Sequence, residues 1–298
     1  MNSQIKELLN PEILNSVSGM ELIARVIVEG FMSGSNKSQS VGAAQEFSQY
    51  RSYEPGDDIR QLDWKIYSRS ERYYIKQADI ETNITVKFMI DASGSMSYKE
   101  NKISKLQYAK ILTAALAYLA RKQSDSFGLF TINEENIRVV RPRFEQQQFL
   151  RFINELIKVE PGGTWSRAKN LEHLFDHHGK EMIIFMTDLY EADKDLLNFI
   201  SRLKTRRNEV IVFHIMGEQE IRLDFDGSFV FQDLETSASI RVDTALLRKQ
   251  YIERVSNWLS KSRLTMYEKQ VNYQLILLSD PFEKSLRNFL RVRKSLSR

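Results

Sequence analysis

Two aspartates, Asp91 and Asp188, each follow a run of apolar residues, Ile84 to Ile90 and Met182 to Met186 with Thr187. An acid at a strand end often does no more than cap the next helix. Behind Asp91, however, the hydroxyls Ser93 and Ser95 follow at steps of two, and Gly94 between them permits a tight turn. An Asp-x-Ser-x-Ser loop of this kind can aim three oxygens at one point. Thr164, after Pro161-Gly162-Gly163, adds a hydroxyl from a second loop. Hard divalent cations take oxygen ligands, and Mg²⁺ keeps several waters and few carboxylates. Asp91, Ser93, Ser95, Thr164 and Asp188 therefore form a candidate Mg²⁺ site, with Mn²⁺ or Ca²⁺ as alternatives. Two carboxylates undersupply charge, so an open position stays electrophilic and suits an acidic side chain from a partner.

Other chemistries fit less well. A phosphatase-like hydrolase with Asp91 as nucleophile is the alternative, but that chemistry needs a carboxylic acid two residues on, where this chain has Ser93, a poor proton donor. Ser93-Gly94-Ser95 lacks the flanking glycines of a nucleophile elbow. No Walker A sequence occurs, which leaves any ATPase activity to a partner. With no cysteine there is no thiolate metal site, disulfide or thiol nucleophile. His173, His177 and His178 share an expected helix but lack an acidic companion, so they read as surface residues; His214, in an apolar strand, reads as a satisfied buried histidine.

The elements that must position the five residues follow from periodicity. Strands are expected at 84–90, 126–132, 136–140, 182–186, 210–215 and 273–278, and helices at 103–121, 146–159, 193–204, 243–269 and 282–292. Such alternation predicts an α/β fold with a doubly wound, mostly parallel sheet, in which ligands bind at the carboxyl ends of strands. Upstream, apolar positions from Ile13 to Ile27 at three- and four-residue steps predict an amphipathic helix, and the small polar run Gly30 to Ser40 predicts a loop, the only plausible linker.

Composition narrows the class. A hydrophobic content of 42% suffices for a real core, and 43 Lys+Arg interspersed with 39 Asp+Glu argue against specific nucleic-acid binding. The longest apolar segment, Ile111 to Ala120, falls well short of the roughly 20 residues of a membrane span. The start does not read as a signal peptide, so a cytoplasmic protein is expected. The basic stretches 202–207 and 287–298 read as solvated faces, with contact to an acidic partner or a membrane surface as second readings.

The strand ending in Asp91-x-Ser93-x-Ser95, the later Thr164 and the strand-terminal Asp188 together resemble the metal-ion-dependent adhesion site of von Willebrand factor A domains. The segment Glu46 to Lys65, containing Phe47, Arg51, Tyr53, Gly56-Asp57-Asp58, Arg60 and Asp63-Trp64, resembles the signature of the bacterial family known as domain of unknown function 58. The resemblance extends over about residues 30 to 293, with Tyr251, Trp258, Arg291 and Arg293, and departs at Ser68-Arg69, where Ala-Arg is expected. It implies a von Willebrand factor A-like domain at 82–298, preceded at 1–81 by a helix, the linker and the signature segment packed on the core. It also implies a non-enzymatic adaptor or chaperone role beside a MoxR-type AAA+ ATPase, and contact with other von Willebrand factor A proteins. Within the signature, Pro55-Gly56-Asp57-Asp58 is turn chemistry. The alternating arginines and aspartates read as internal ion pairs, and Trp64 and Tyr67 as core anchors.

Overall fold

Four central strands rich in Val, Ile, Phe and Met, too apolar to face water, assemble with two more polar edge strands into one sheet. The computed structural model describes residues 10–38, 49–54, 62, 64–77, 84–100, 102–133, 137–165, 180–190 and 195–296. Its sheet strands are β3 (Thr85–Asp91), β6 (Ser126–Ile132), β7 (Val139–Arg143), β8 (Glu181–Thr187), β9 (Asn208–Met216) and β12 (Asn272–Leu277), in the order β12-β9-β8-β3-β6-β7. All neighbours are parallel except β7, which runs antiparallel to β6. The chain proceeds outward from β3 through β6 to β7, then returns across β3 to β8 and winds the other way. Asp91 and Asp188 thus leave adjacent strands where the winding reverses, the position at which doubly wound sheets open a crevice.

Period-2 alternation sends side chains to both faces. Met89, Ile183, Phe185, Val210 and Val212 share a core with Leu196, Phe199, Ile200 and Leu203 of helix α6 (Asp195–Leu203) and Met266 of α8 (Thr244–Glu268). On the other face lie α4 (Lys105–Lys122), α5 (Gln148–Ile157) and α9 (Phe282–Leu296). There Thr113 Oγ1 meets Met186 Sδ at 3.3 Å, Phe88 and Phe152 meet edge to face, and Tyr108 stacks on Phe282. Small residues Ala109, Ala114, Ala115 and Ala117, all fully buried, let α4 lie close to the sheet. Its start, just after the short antiparallel pair β4 (Lys99–Glu100) and β5 (Ile103–Ser104), is fixed by a capping box of Ser104 and Gln107.

The chain divides into two compact units, one of residues 1–29 and 83–298 and one of 30–82. In the first, α1 (Pro11–Leu14) precedes α2 (Val17–Ser38), whose Met20, Ile23, Ala24 and Ile27 are buried as the periodicity predicts. In the second, β1 (Gln49–Ser52) pairs antiparallel with β2 (Tyr74–Gln77) around α3 (Trp64–Ser70).

Two expectations are corrected. The predicted loop Gly30 to Ser40 is helical as far as Ser38, because α2 runs Val17–Ser38; an established helix propagates at little cost even through Gly30 and Gly34. Trp64 is not a core anchor: it is 59% exposed, touching Tyr67 edge to face, while Tyr67 stacks on Tyr73. Phe47, Asp57, Asp58, Arg60, Asp63 and the histidines at 173, 177 and 178 lie outside the described residues.

Two smaller features complete the edge of the sheet that bears the aspartates. The short helix α7 (Glu218–Arg222) follows β9, and a hairpin of β10 (Ser228–Gln232) and β11 (Ser239–Asp243) leads into α8.

Candidate functional site

Asp91 is the last residue of β3, and its backbone turns at once into a short 3-10 helix, Gly94–Ser97. The Ser93 N–H donates to Asp91 Oδ1 at 3.0 Å, closing a tight Asx turn, while Thr187 Oγ1 donates to Asp91 Oδ2 at 2.7 Å. The two serine hydroxyls lie 3.0 Å apart, and Ser95 Oγ donates to Asp188 Oδ1 at 3.1 Å. Asp91, Ser93, Ser95 and Asp188 are all buried and form one network. The second loop is strapped to the first by Gly94 N–H to Gly163 O at 2.8 Å and Gly162 N–H to Ala92 O at 2.9 Å, which brings half-buried Thr164 alongside. The structure thus joins Asp91, Ser93, Ser95 and Asp188 in one hydrogen-bonded network and ties the loop that carries Thr164 to the Asp91 loop.

Two backbone details explain the residue types. A Cβ on Gly94 would stand 2.6 Å from Leu234 O and 3.2 Å from Gly163 O, so only glycine allows three backbone segments to meet here. After Asp188, Leu189 is held at φ 53, a left-handed conformation that a bulky residue adopts only under constraint. The Leu189 N–H donates to Thr187 Oγ1 and the Tyr190 N–H to Asp188 Oδ1, which holds that turn.

Several functional groups here carry no signal in the sequence. Lys105, first residue of α4, is 3% exposed, and its Nζ lies 2.8 Å from Asp188 Oδ2 and 2.7 Å from Glu220 Oε1. Glu220 in turn accepts from the Gly217 N–H at 2.7 Å. Glu235, in the turn between β10 and β11, lies beside the Ser93 and Ser95 side chains, and its Oε1 is buried without a hydrogen-bond partner. Only Thr187, adjacent to Asp188, stood close to a recognised residue.

The electrostatics are those of acids crowded together out of water. Burial, and then the charge of Asp188, push the Asp91 carboxyl up to about 7, against hydrogen bonds from Ser93 and Thr187 that lower it. Burial alone would lower the Lys105 ammonium, but Asp188 and Glu220 raise it above its ordinary value. Burial raises Glu220, opposed by Lys105, and raises Glu235, opposed by the serines. His214 is wholly buried with Nδ1 2.7 Å from the Tyr273 hydroxyl, and burial pushes it down to about 4. Its Nε2 has no partner, so the expected satisfied histidine is only half satisfied.

The donor set fits a hard cation in kind: every group is an oxygen, two are carboxylates, and burial together with the charge of Asp188 raises Asp91. Among the described residues no group of three or more His, Cys, Asp or Glu is arranged to hold a metal, so an ion here would draw on two carboxylates and hydroxyls. Lys105 engages Asp188 Oδ2, while Oδ1 accepts from Ser95 Oγ and the Tyr190 N–H. Beside the network opens a cavity of about 580 Å³ lined by Ser95, Lys105 and Asp188 and by apolar side chains including Phe231, Leu234 and Leu247. No helix among the described residues is long and apolar enough to cross a membrane.

Known proteins resemble this chain at modest identity. An uncharacterized protein of Mycobacterium tuberculosis is 22% identical over 245 residues, covering 80% of this chain and 76% of that protein. BatB from Bacteroides thetaiotaomicron is similar in structure with a TM-score of 0.42 at 14% identity, over 71% of this chain and 100% of that chain. A von Willebrand factor type A structure from Catenulispora acidiphila gives 0.40 at 15% identity, over 74% and 43%. The family described as Protein of unknown function DUF58 matches residues 49–258, a shorter span than the motifs suggested but well over half of the sequence, and the chain belongs to that family.

Proposed function

We propose that this protein is a cation-dependent protein-interaction module: Asp91, Ser93, Ser95, Thr164 and Asp188 hold Mg²⁺, and a partner contributes an acidic side chain to the ion. The observation that carries this reading is the convergence of two buried aspartates and two buried serine hydroxyls in one network at the switch point of the sheet. In the metal-bound site the chain's residues would bind and orient the ion, and the ion would supply positive charge at an open position. The neighbouring cavity gives room for apolar side chains that flank the partner's acid. Recognition is favoured over hydrolysis because Ser93 stands where an acid/base carboxyl is required, and Lys105, the one cationic group of the network among the described residues, is held between two carboxylates.

In this reading the partner is a MoxR-type AAA+ ATPase in the cytoplasm, with other von Willebrand factor A proteins as further partners, and the chain acts as an adaptor or chaperone partner. Ion binding alone provides a first test. A ligand that binds only the folded state stabilises it by about 2.7 kcal/mol at a hundred times its Kd. Unfolding of the full chain in Mg²⁺ and in chelator should show such a gain for the wild type and none for Asp91→Asn. An identical Mg²⁺ response in both proteins would overturn the assigned ligands.

A further inference from the structure

We propose that the cavity beside Asp188 is a specificity pocket: it takes a large apolar side chain from an acidic segment of a partner protein, and Arg254 in its lining pairs with an acid of that segment. The inference rests on the reading of this site as a partner-binding surface and names the chemistry of the segment that it selects.

Three elements enclose the cavity of about 580 Å³: the β10–β11 hairpin with Phe231 and Ile240, the chain after α7 with Phe225, and α8 with Leu247, Tyr251 and Arg254. The three α8 residues are four and three positions apart and so share one face of the helix. The fold itself ties these walls together. The Tyr251 hydroxyl donates to Glu220 O at 2.6 Å, and Arg248 of α8 donates to Leu223 O at 3.0 Å and Phe225 O at 2.8 Å. The Phe225 ring meets that of Phe231 at 6.4 Å. A mostly apolar concavity of this size with a few polar groups is the usual form of a binding pocket.

The cavity continues into the aspartate network, since Ser95, Lys105 and Asp188 also line it. A partner acid drawn to that network therefore stands at the edge of the pocket. Ile240 is 64% exposed and Leu247 43%, so the rim offers apolar surface for an incoming side chain to cover. Charge selects the rest of the occupant. The other charged groups of the lining already have partners: Lys105 lies between Asp188 and Glu220, and Asp233 accepts from the Tyr190 hydroxyl and from the Glu235 and Thr236 N–H groups. Arg254 is exposed and makes no ion pair among the described residues. A neutral or basic segment would cover the apolar walls and leave that guanidinium unanswered, whereas an acidic one answers it.

The test is fluorescence polarisation of labelled peptides on the full chain in Mg²⁺, with acetyl-Glu-Glu-Phe-Leu-Glu-Glu-amide, its Ser-Ser counterpart in place of Phe-Leu, and a peptide with lysine in place of glutamate. Leu247→Glu places a negative charge on a half-exposed wall in the first turn of α8, where the helix dipole tolerates it, and Arg254→Ala removes an exposed guanidinium. Urea unfolding of both variants should match the wild type. The acidic apolar peptide should bind the wild type about tenfold more tightly than either other peptide, the difference that burial of a large apolar side chain supports. Its binding should weaken about tenfold in Leu247→Glu and about threefold in Arg254→Ala. Equal binding of the Phe-Leu and Ser-Ser peptides, or no binding of either, overturns the pocket; a Ser-Ser peptide released by chelator would still leave the cation reading standing. Equal binding of the lysine peptide overturns the role of Arg254. Binding that survives both chelator and Asp91→Asn yet depends on Leu247 and Arg254 supports the pocket and overturns the cation reading. A wild type that sediments as a dimer split by Leu247→Glu makes a second copy the occupant and overturns the acidic segment.

Discussion

Lys105 shows how the site is balanced side chain by side chain. Its ammonium neutralises Asp188 from within the fold, at 2.8 Å and almost fully shielded from water. Removing one partner of a buried pair leaves an uncompensated charge, at a cost of about 3 to 5 kcal/mol. Lys105→Met should therefore lose about 3 kcal/mol in chelator, measured by urea unfolding, and recover part of that in Mg²⁺ as the ion takes over neutralising Asp188. An equal loss with and without Mg²⁺ would separate Lys105 from the cation site. The five proposed ligands were legible because their chemistry is written locally: acids at the ends of apolar runs, hydroxyls at alternate positions, glycines before the threonine. Lys105, Glu220 and Glu235 were not legible, because a charged residue is ordinarily solvated and only the fold reveals that these three are drawn inward.

At the scale of elements, helix α4 carries a second buried lysine on its face toward α5. Lys110 Nζ donates to Ile157 O at 3.0 Å, and burial pushes its pKa down to about 8 from an ordinary 10.5. Between those values the unfolded chain holds more protons than the folded one, so stability rises as the pH climbs from 8 to 10.5. Below pH 8 the full cost of burying the charge is present. Lys110→Met should accordingly stabilise the protein at pH 7 by about 1 to 2 kcal/mol, the lost hydrogen bond offsetting part of the gain, and the advantage should fade toward pH 10.5. Denaturant midpoints across pH 7 to 10.5 provide the check; an advantage that grows with pH would contradict the assignment. At the start of the same helix, Ser104→Ala removes an N-cap and should cost about 1 kcal/mol in thermal unfolding. The central strands were legible because burial on both sides imposes largely apolar runs, and the covering helices because each turns one apolar face to the sheet. The β10–β11 hairpin was not: its residues are mostly exposed, and no face is buried strongly enough to leave an alternating pattern. Residues 30 to 38 misled in the opposite sense, since small polar residues read as a loop although helix α2 continues through them.

For the whole molecule, the last helix returns to lock the beginning of the sheet. Arg293 of α9 grips Asp125 through Nε at 2.7 Å and a second nitrogen at 2.8 Å, and the same fully buried Asp125 accepts the Ile84 N–H just before β3. The basic terminus expected to be a solvated face thus contributes a structural anchor at this one position, where spacing alone does not distinguish Arg293 from its neighbours. Arg293→Ala should cost about 3 kcal/mol by urea unfolding, whereas Arg291→Ala, which loses only an exposed hydrogen bond to Asn288, should change little. The fold class was legible from the alternation of strands and helices, and the convergence of Asp91 and Asp188 follows from their strands being neighbours at the reversal of winding. The central claim is that this convergence serves a cation that a partner protein recognises. Its most direct test is titration of the MoxR-type ATPase against wild type and Asp91→Ala, each in Mg²⁺ and in chelator. The account predicts tight binding only for the wild type in Mg²⁺, restored when Mg²⁺ is added back after chelation; equal affinity in all four conditions would contradict it.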